Sequence, residues 1–261
     1  MKQGYIKTAE EIAIIRQGGK ILAEVLKQLL SAAQAGVKTI ELDLLAEKLI
    51  RQSGGLPAFK NYADSPSETP FPTTICASVN DQVVHTPAGD YALKSGDILS
   101  IDIGMKYPAT DDGLYTDMAK TKAIGSVPQL TRKLLKVTAK SLELGIAQVK
   151  PGNTIGDISR AIQKYVEDNG FSIVRQLVGH GVGYAVHEDP RVPNFYDPVT
   201  ANFKLEEGMV IAIEPMVNIG DYRIEVLDDD WTIVTSDGSL SAHFEHTVAV
   251  VKGGHKVLTA L

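Results

Sequence analysis

The chain has 261 residues, 44% hydrophobic and 22% charged, and its 32 acids against 26 bases give a formal net charge of −6. That composition excludes a disordered chain, a collagen-like repeat and a disulfide scaffold, and it argues against a dedicated binder of nucleic acid or anionic membrane. No stretch approaches the ~20 apolar residues of a membrane span, no secretory signal is expected at the N-terminus, and the lone Cys76 fits a reducing cytoplasm.

Taken in chain order, the first element starts at Thr8. Thr8 and Glu11 have capping-box spacing, and Ile12, Ile15, Gly19, Leu22, Leu26 and Leu29 follow at steps of three and four. This predicts a long amphipathic helix, with Gly36 ending the region. Leu42, Leu45, Ala46, Leu49 and Ile50 predict a second helix, stopped at Gly54. Residues 61–73 have turn chemistry throughout and read as a loop. Gly96 to Asp102 reads as a strand, and Asp117 to Thr121 lies on another. After the short link Gly125 to Pro128, Leu130 to Val149 predicts a third helix, stopped by Pro151-Gly152. A fourth carries Ile158, Ala161, Ile162, Tyr165 and Val166 and ends at Gly170. Gly208 to Glu214 and Glu245 to Ala249 read as further strands.

The second set of elements copies the first. Gly36 matches Gly152, Leu42 matches Ile158, Ala46 matches Ile162 and Gly54 matches Gly170, without a gap. A register held across two helices and their stops indicates an internal duplication. Gly96 to Asp102 likewise resembles Gly208 to Glu214. Strand alternation turns Leu99 and Ile101 to the core, as it does Ile211 and Ile213, and puts Asp102 and Glu214 on the opposite face at matching strand ends. Asp117 matches Glu245 one strand further on, and His85 precedes the first acidic strand as His187 precedes the second. The expected architecture is α+β with a pseudo-twofold axis: one domain, 1–261, built from halves at about 1–123 and 129–252.

Several motifs are missing: the Gly-x-Ser-x-Gly elbow, a phosphate loop, His-Glu-x-x-His and any cysteine pair for zinc. What remains is acids on apolar strands. A carboxylate there is costly unless it reaches solvent, is paired or binds metal. Equivalent acids in a duplicated unit favour a shared site. Four carboxylates in one cleft would repel each other, and two divalent cations would balance them. His180, flanked by glycines, could add an imidazole, and such an oxygen-rich set with one nitrogen suits Mn, Fe, Co or Zn.

Three linked segments carry a family resemblance: Gly179-His180-Gly181-Val182-Gly183 with His187-Glu188 and Pro190; Gly208-Met209 with Ile213-Glu214-Pro215-Met216; and Trp231-Thr232 through Phe244-Glu245-His246-Thr247. Together they resemble the type I methionine aminopeptidases over nearly the whole chain. The resemblance implies the duplicated pita-bread (creatinase/aminopeptidase) fold. It implies that Asp102 chelates one of two divalent ions, that Asp117 and Glu245 bridge both, and that His180 and Glu214 complete the other. A bridging hydroxide would then attack the peptide, with Glu214 shuttling the proton. His187 would contact the scissile group and His85 the leaving amide. Phe71, Cys76 and Trp231 would form the methionine pocket, with His85 at its rim, and Asn80 and Ser241 would lie near a monovalent cation.

The implied substrates are nascent polypeptides with N-terminal methionine and a small second residue. The implied enzyme is a cytoplasmic monomer, with the ribosome as a candidate partner and neither nucleic acid nor membrane as one. Three departures from the family pattern are expected around the substrate mouth: the long connection Met105 to Thr116, Thr86-Pro87 after the first histidine, and the long loop 61–73. Two alternatives stand beside this reading. A Xaa-Pro aminopeptidase or dipeptidase of the same superfamily shares the flavour of Asp102-Ile-Gly and Tyr115 to Thr121, but usually carries an extra N-terminal domain. A non-catalytic module on the same fold would be expected to have lost ligands that are all present here.

Overall fold

Two of the four helices among the described residues, the first and the fourth, start at a threonine whose side chain caps them. The Thr8 hydroxyl accepts the Glu11 N–H at 3.2 Å and the Glu11 carboxylate accepts the Thr8 N–H at 2.6 Å, opening α1 (Ala9–Ala32). In this computed structural model, which describes residues 4–63, 65 and 69–261, α1 buries Ile15, Gly19, Leu22, Leu26 and Leu29, the face its spacing predicts. Gly19 is required: a Cβ there would stand 2.4 Å from the Leu258 carbonyl oxygen. Helix α2 (Thr39–Gln52) buries Leu42, Ala46 and Ile50, while Leu45 and Leu49 are half-buried.

Helix α3 (Gln129–Ile146) stops short of the expected Val149, because Gln148 and Val149 bond back only three residues, to Gly145 and Ile146, and so tighten the last turn. Helix α4 (Ile155–Asp168) has its own capping box: Thr154 N–H donates to Asp157 at 2.8 Å and Asp157 N–H to the Thr154 hydroxyl at 3.3 Å. Thr154→Ala is expected to cost ~1 kcal/mol. Thermal unfolding would show this as a drop of ~2–4 °C in Tm. The duplicated glycine stops share a backbone conformation as well as a register. Gly36 and Gly152 have φ of 93° and 91°, and Gly54 and Gly170 have 79° and 81°.

The strands between the helices are β1 (Leu56–Pro57), β2 (Ile75–Val79), β3 (Gln82–Val84), β4 (Ile98–Tyr107) and β5 (Leu114–Ala123) in the first half. After α4 come β6 (Ser172–Ile173), β7 (Gly179–Gly181), β8 (Glu188–Val192), β9 (Val210–Ile213) and β10 (Met216–Asn218). They are followed by β11 (Ile224–Val226), β12 (Ile233–Thr235), β13 (Ser241–His243), β14 (His246–Val251) and β15 (Gly254–Val257). Among the described residues, one sheet has the order β1-β4-β2 with β5 on β4, and another β15-β14-β9-β7-β8. Two three-stranded sheets, β13-β10-β6 and β11-β12-β3, flank them.

Helices α1 and α2 pack Leu22, Leu26, Leu42 and Ile50 onto Leu99 and Ile101, and α3 and α4 pack Leu134, Ile158 and Ile162 onto Ile211 and Ile213. The two halves join edge to edge: Glu245 N–H donates to Ala119 O at 2.9 Å, and Thr247 Oγ1 accepts Asp117 N–H at 3.0 Å and donates to Asp117 O at 2.7 Å. No helix among the described residues is long and apolar enough to cross a membrane.

One expectation about the strands changes. Glu214 does follow directly on the end of β9, but Asp102 sits inside the ten-residue β4. The reason is the long Met105–Thr116 connection, which extends the β4–β5 hairpin with Met105 opposite Thr116 and Tyr107 opposite Leu114. The hairpin tip lies on the helices: Tyr107 OH accepts from Gln17 at 2.9 Å, and Ala109 N–H donates to Gly54 O at 2.8 Å. The far end of the connection returns toward the cavity, where Tyr115 packs with Phe59, Phe71 and Cys76. The loop 61–73 forms no helix or strand among its described residues, Asp64 and 66–68 lying outside them, and it closes on itself through Asn61 N–H to Phe71 O and Phe71 N–H to Tyr62 O, each 2.8 Å.

Candidate active site

Sheet register brings the acids together. Asp102 on β4 faces Ala119 on β5, and Asp117 lies two residues along on the same face. The Glu245-to-Ala119 hydrogen bond places Glu245 beside them, and the pairing of Ile213 with His246 sets Glu214 alongside Glu245. His180 reaches the group because β7 is squeezed between β8 and β9. A Cβ at Gly179 would stand 2.4 Å from Ala212 O, and one at Gly181 would stand 2.2 Å from Asp189 O. The glycines of this signature are thus a packing requirement that sets the imidazole among the acids. Its Nε2 lies 3.5 Å from Glu214 Oε1 and 3.9 Å from Asp117 Oδ2. Its Nδ1 is 2.9 Å from Gly181 O, an acceptor only, so the proton sits on Nδ1 and the Nε2 lone pair faces the carboxylates.

Burial dominates the electrostatics. It raises Asp102 to about 7 and Glu214 to about 8. Asp117 and Glu245 are pushed well above the usual carboxylate range by burial and then by the neighbouring acids. Burial, together with nearby His187, holds the His180 imidazole neutral, down to about 3. Asp102 Oδ1, Asp117 Oδ1 and Glu245 Oε1 are buried without a hydrogen-bond partner. Orphaned carboxylate oxygens beside an imidazole lone pair fit divalent cations. One ligand atom each from Asp117, His180 and Glu245 lie within 4.8 Å of one another, a group able to hold a metal ion, with Asp102 and Glu214 flanking it.

Every other residue singled out for substrate contact lines the same cavity of about 450 Å³: Phe71, Cys76, His85, His187 and Trp231. Phe71 meets Trp231 edge to face at 5.2 Å between ring centres, and His85 meets Trp231 at 6.4 Å. Cys76 is buried opposite Asp102, where burial and the acids raise its thiol pKa. His85 is held at φ 56°, in the left-handed region. The His187 ring lies 4.5 Å from the His180 ring, and its Nδ1 is 2.9 Å from Tyr62 OH. Asn80 and Ser241 meet directly, Ser241 N–H donating to Asn80 O at 2.9 Å.

Phe59 on the cavity wall was not singled out in the sequence, and two polar residues of the site escaped it as well. His243 on β13, opposite Met216, is buried with its Nε2 3.5 Å from Glu214 Oε2 and with both ring nitrogens lacking a hydrogen-bond partner. Strand alternation was the available signal, since His243 lies two residues before Glu245. Tyr62 sits in an aperiodic loop where no such signal exists.

A buried set of four carboxylates and one imidazole, at the seam of a duplicated α+β fold and opening on an apolar pocket, defines a metal-dependent hydrolase. Residues 13–252 match metallopeptidase family M24. The chain belongs to that family, with its pita-bread fold, and within it to the methionine aminopeptidases. A methionine aminopeptidase of Clostridium perfringens is 46% identical over 256 residues, covering 98% of both chains. The crystal structure of the methionine aminopeptidase from Rickettsia prowazekii superposes with a TM-score of 0.91 at 36% identity, covering 98% of this chain and 99% of that one. A prolidase from Pyrococcus horikoshii, at 23% identity and TM-score 0.75, shares the fold, and this chain covers 63% of its length.

Proposed function

We propose that this chain cleaves the first peptide bond of polypeptides that begin with methionine and carry a small second residue, trimming nascent proteins in the cytoplasm. The observation that carries the reading is that the acid cluster lines the same cavity as the apolar group Phe59, Phe71, Cys76 and Trp231. A methionine side chain suits that wall, with its sulfur against aromatic edges. Its free amine then falls beside the carboxylates, which restricts cleavage to a single terminal residue.

Asp102, Asp117, His180, Glu214 and Glu245 would hold two divalent cations drawn from Mn, Fe, Co or Zn, which when bound supply Lewis acidity and lower the pKa of water from ~15.7 toward ~7. Glu214, buried beside the cations it would hold and lining the same cavity, is placed to take a proton from the attacking water and deliver it to the leaving amine. His187, with Nδ1 engaged by Tyr62, presents its other nitrogen to the scissile carbonyl oxygen as charge develops there. His85, on the opposite wall beside Trp231, hydrogen-bonds near the leaving amide. Asn80 and Ser241 would border a monovalent cation. The chain works as one domain, 1–261, whose halves, about 1–123 and 129–252, each supply acids. It acts as a monomer, with nascent polypeptide as substrate, the ribosome as a candidate partner, and neither nucleic acid nor membrane bound.

Met-Gly, Met-Leu and Ala-Pro peptides compared after adding Mn, Co or Fe to chelated protein test this. Metal-dependent release of methionine from the first alone is expected. Cleavage confined to the Ala-Pro peptide would assign the chain to the Xaa-Pro peptidases instead, and no cleavage with any metal would leave a binding module.

A further inference from the structure

One buried charge has no part in the scheme above. Lys7 precedes α1, and its side chain is 0% exposed. A buried ammonium is costly, and a buried ion pair is weak evidence for stability, so the question is what this one holds in place. Backbone bonds fix the arm itself: Lys7 N–H donates to Gly208 O at 2.8 Å, and Ile6 bridges to Met209. From there the ammonium pairs with Glu188 Oε2 and lies 4.7 Å from the centre of the Tyr184 ring. The other Glu188 oxygen accepts the backbone N–H groups of Tyr184 and of Ala185, the latter at 2.8 Å. Tyr184 OH donates to Glu11 Oε2 in the first turn of α1 at 2.9 Å. Gly183 makes room for this wiring, since a Cβ there would lie 2.6 Å from Lys7 Cε.

Glu188 therefore closes the turn 184–188 on itself with one oxygen and ties it to the N-terminal arm with the other. The residue next to it in that turn is His187, which faces the acid cluster. We propose that Lys7 is a positioning residue: by fixing Glu188 it holds the turn so that His187 stands over the reacting amide. This rests on the role given to His187 above.

The test uses the metal-loaded full chain and a Met-Gly peptide, with Lys7→Met, His187→Ala and their combination. Lys7→Met keeps the aliphatic stem and removes the charge. It is expected to lower kcat on the order of tenfold or more, as a sub-ångström displacement of a reacting group does, with KM little changed. In the His187→Ala background the same change should cost almost nothing further. Backbone exchange should accelerate at the Tyr184 and Ala185 amides and stay slow in α1 and β4. Should the unpaired Glu188 prevent folding, Lys7→Met with Glu188→Gln removes both charges and should show the same kcat loss. Equal losses with and without His187, or exchange accelerating throughout α1 and β4, would make Lys7 merely structural and overturn the proposal. Full activity in His187→Ala alone would instead refute the role of His187, and with it the catalytic consequence drawn for Lys7.

Discussion

Stripped of divalent cations, the protein is expected to lose stability as pH rises from 6.5 to about 8, and to regain it when metal is added. Asp102 is raised from 3.8 to about 7 and Glu214 from 4.5 to about 8 by burial, and Asp117 and Glu245 are raised as well, by burial and by their acidic neighbours. A carboxyl whose pKa is higher in the folded chain holds a proton that the unfolded chain has lost. Stability then falls with pH by ~1.4 kcal/mol per pH unit for each such group, between its unfolded and folded pKa values. Below 6.5 the buried histidines oppose this trend. His180 is lowered to about 3, His246 to about 4, and His243 is lowered as well, each mainly by burial. These stay neutral in the folded chain while the unfolded chain protonates them, so their contribution rises with pH up to 6.5 and then stops. Above 6.5 the carboxyls act alone.

At ~2–4 °C per kcal/mol, the Tm of chelated protein should drop by several degrees or more across that window. Metal reverses the sign because its ligands must be deprotonated, so binding strengthens as pH rises. A free concentration ~100 times Kd adds ~2.7 kcal/mol. Thermal unfolding at pH 6.5 and pH 8, with chelator and with Mn, reads both effects. A Tm in chelator that is flat or rising over this range would show that the acids are not the buried, mutually repelling set described.

How much of this could be read from the residues differs between elements for physical reasons. Helix starts were legible because capping is local: Thr8 with Glu11 needs only four residues in a row. The duplication was legible because its glycine stops must take left-handed backbone conformations, and both copies keep them. Asp102 was recognisable as a site acid but not as a mid-strand one. Where β4 ends depends on how long it stays paired with β5, and that pairing is a tertiary matter. The course of the Met105–Thr116 connection was hidden for the same reason: its length says nothing about which way it folds, and Tyr107 against Gly18 lays its tip on α1 while Tyr115 returns to Phe59 and Phe71. Lys7 stands in no motif or periodic pattern of the sequence. Its burial depends on a glutamate 181 positions away, and no local pattern records that.

The second large effect is expected from Asp117→Asn, which should move activity and metal-free stability in opposite directions. The substitution keeps the shape of the side chain and the backbone bonds between Asp117 and Thr247 that join the two halves. What it removes is a buried acid whose ionisation is opposed by burial and by neighbouring Asp102 and Glu214. In chelated protein at pH 8 the variant should therefore be more stable than the parent, because folding no longer has to keep a proton on a buried acid that the unfolded chain has given up. In metal-loaded protein it should lose more than the ~10–100-fold typical of changes one shell beyond a metal, since it takes a charged ligand from the centre of the group. Calorimetric titration with Mn should show weaker or fewer binding events, at unchanged secondary structure. Normal turnover would remove Asp117 from the metal centre and with it the two-ion arrangement. A variant that lost stability along with activity would mean instead that the carboxylate serves the seam between the halves, and that its orphaned oxygen has some other partner than a cation.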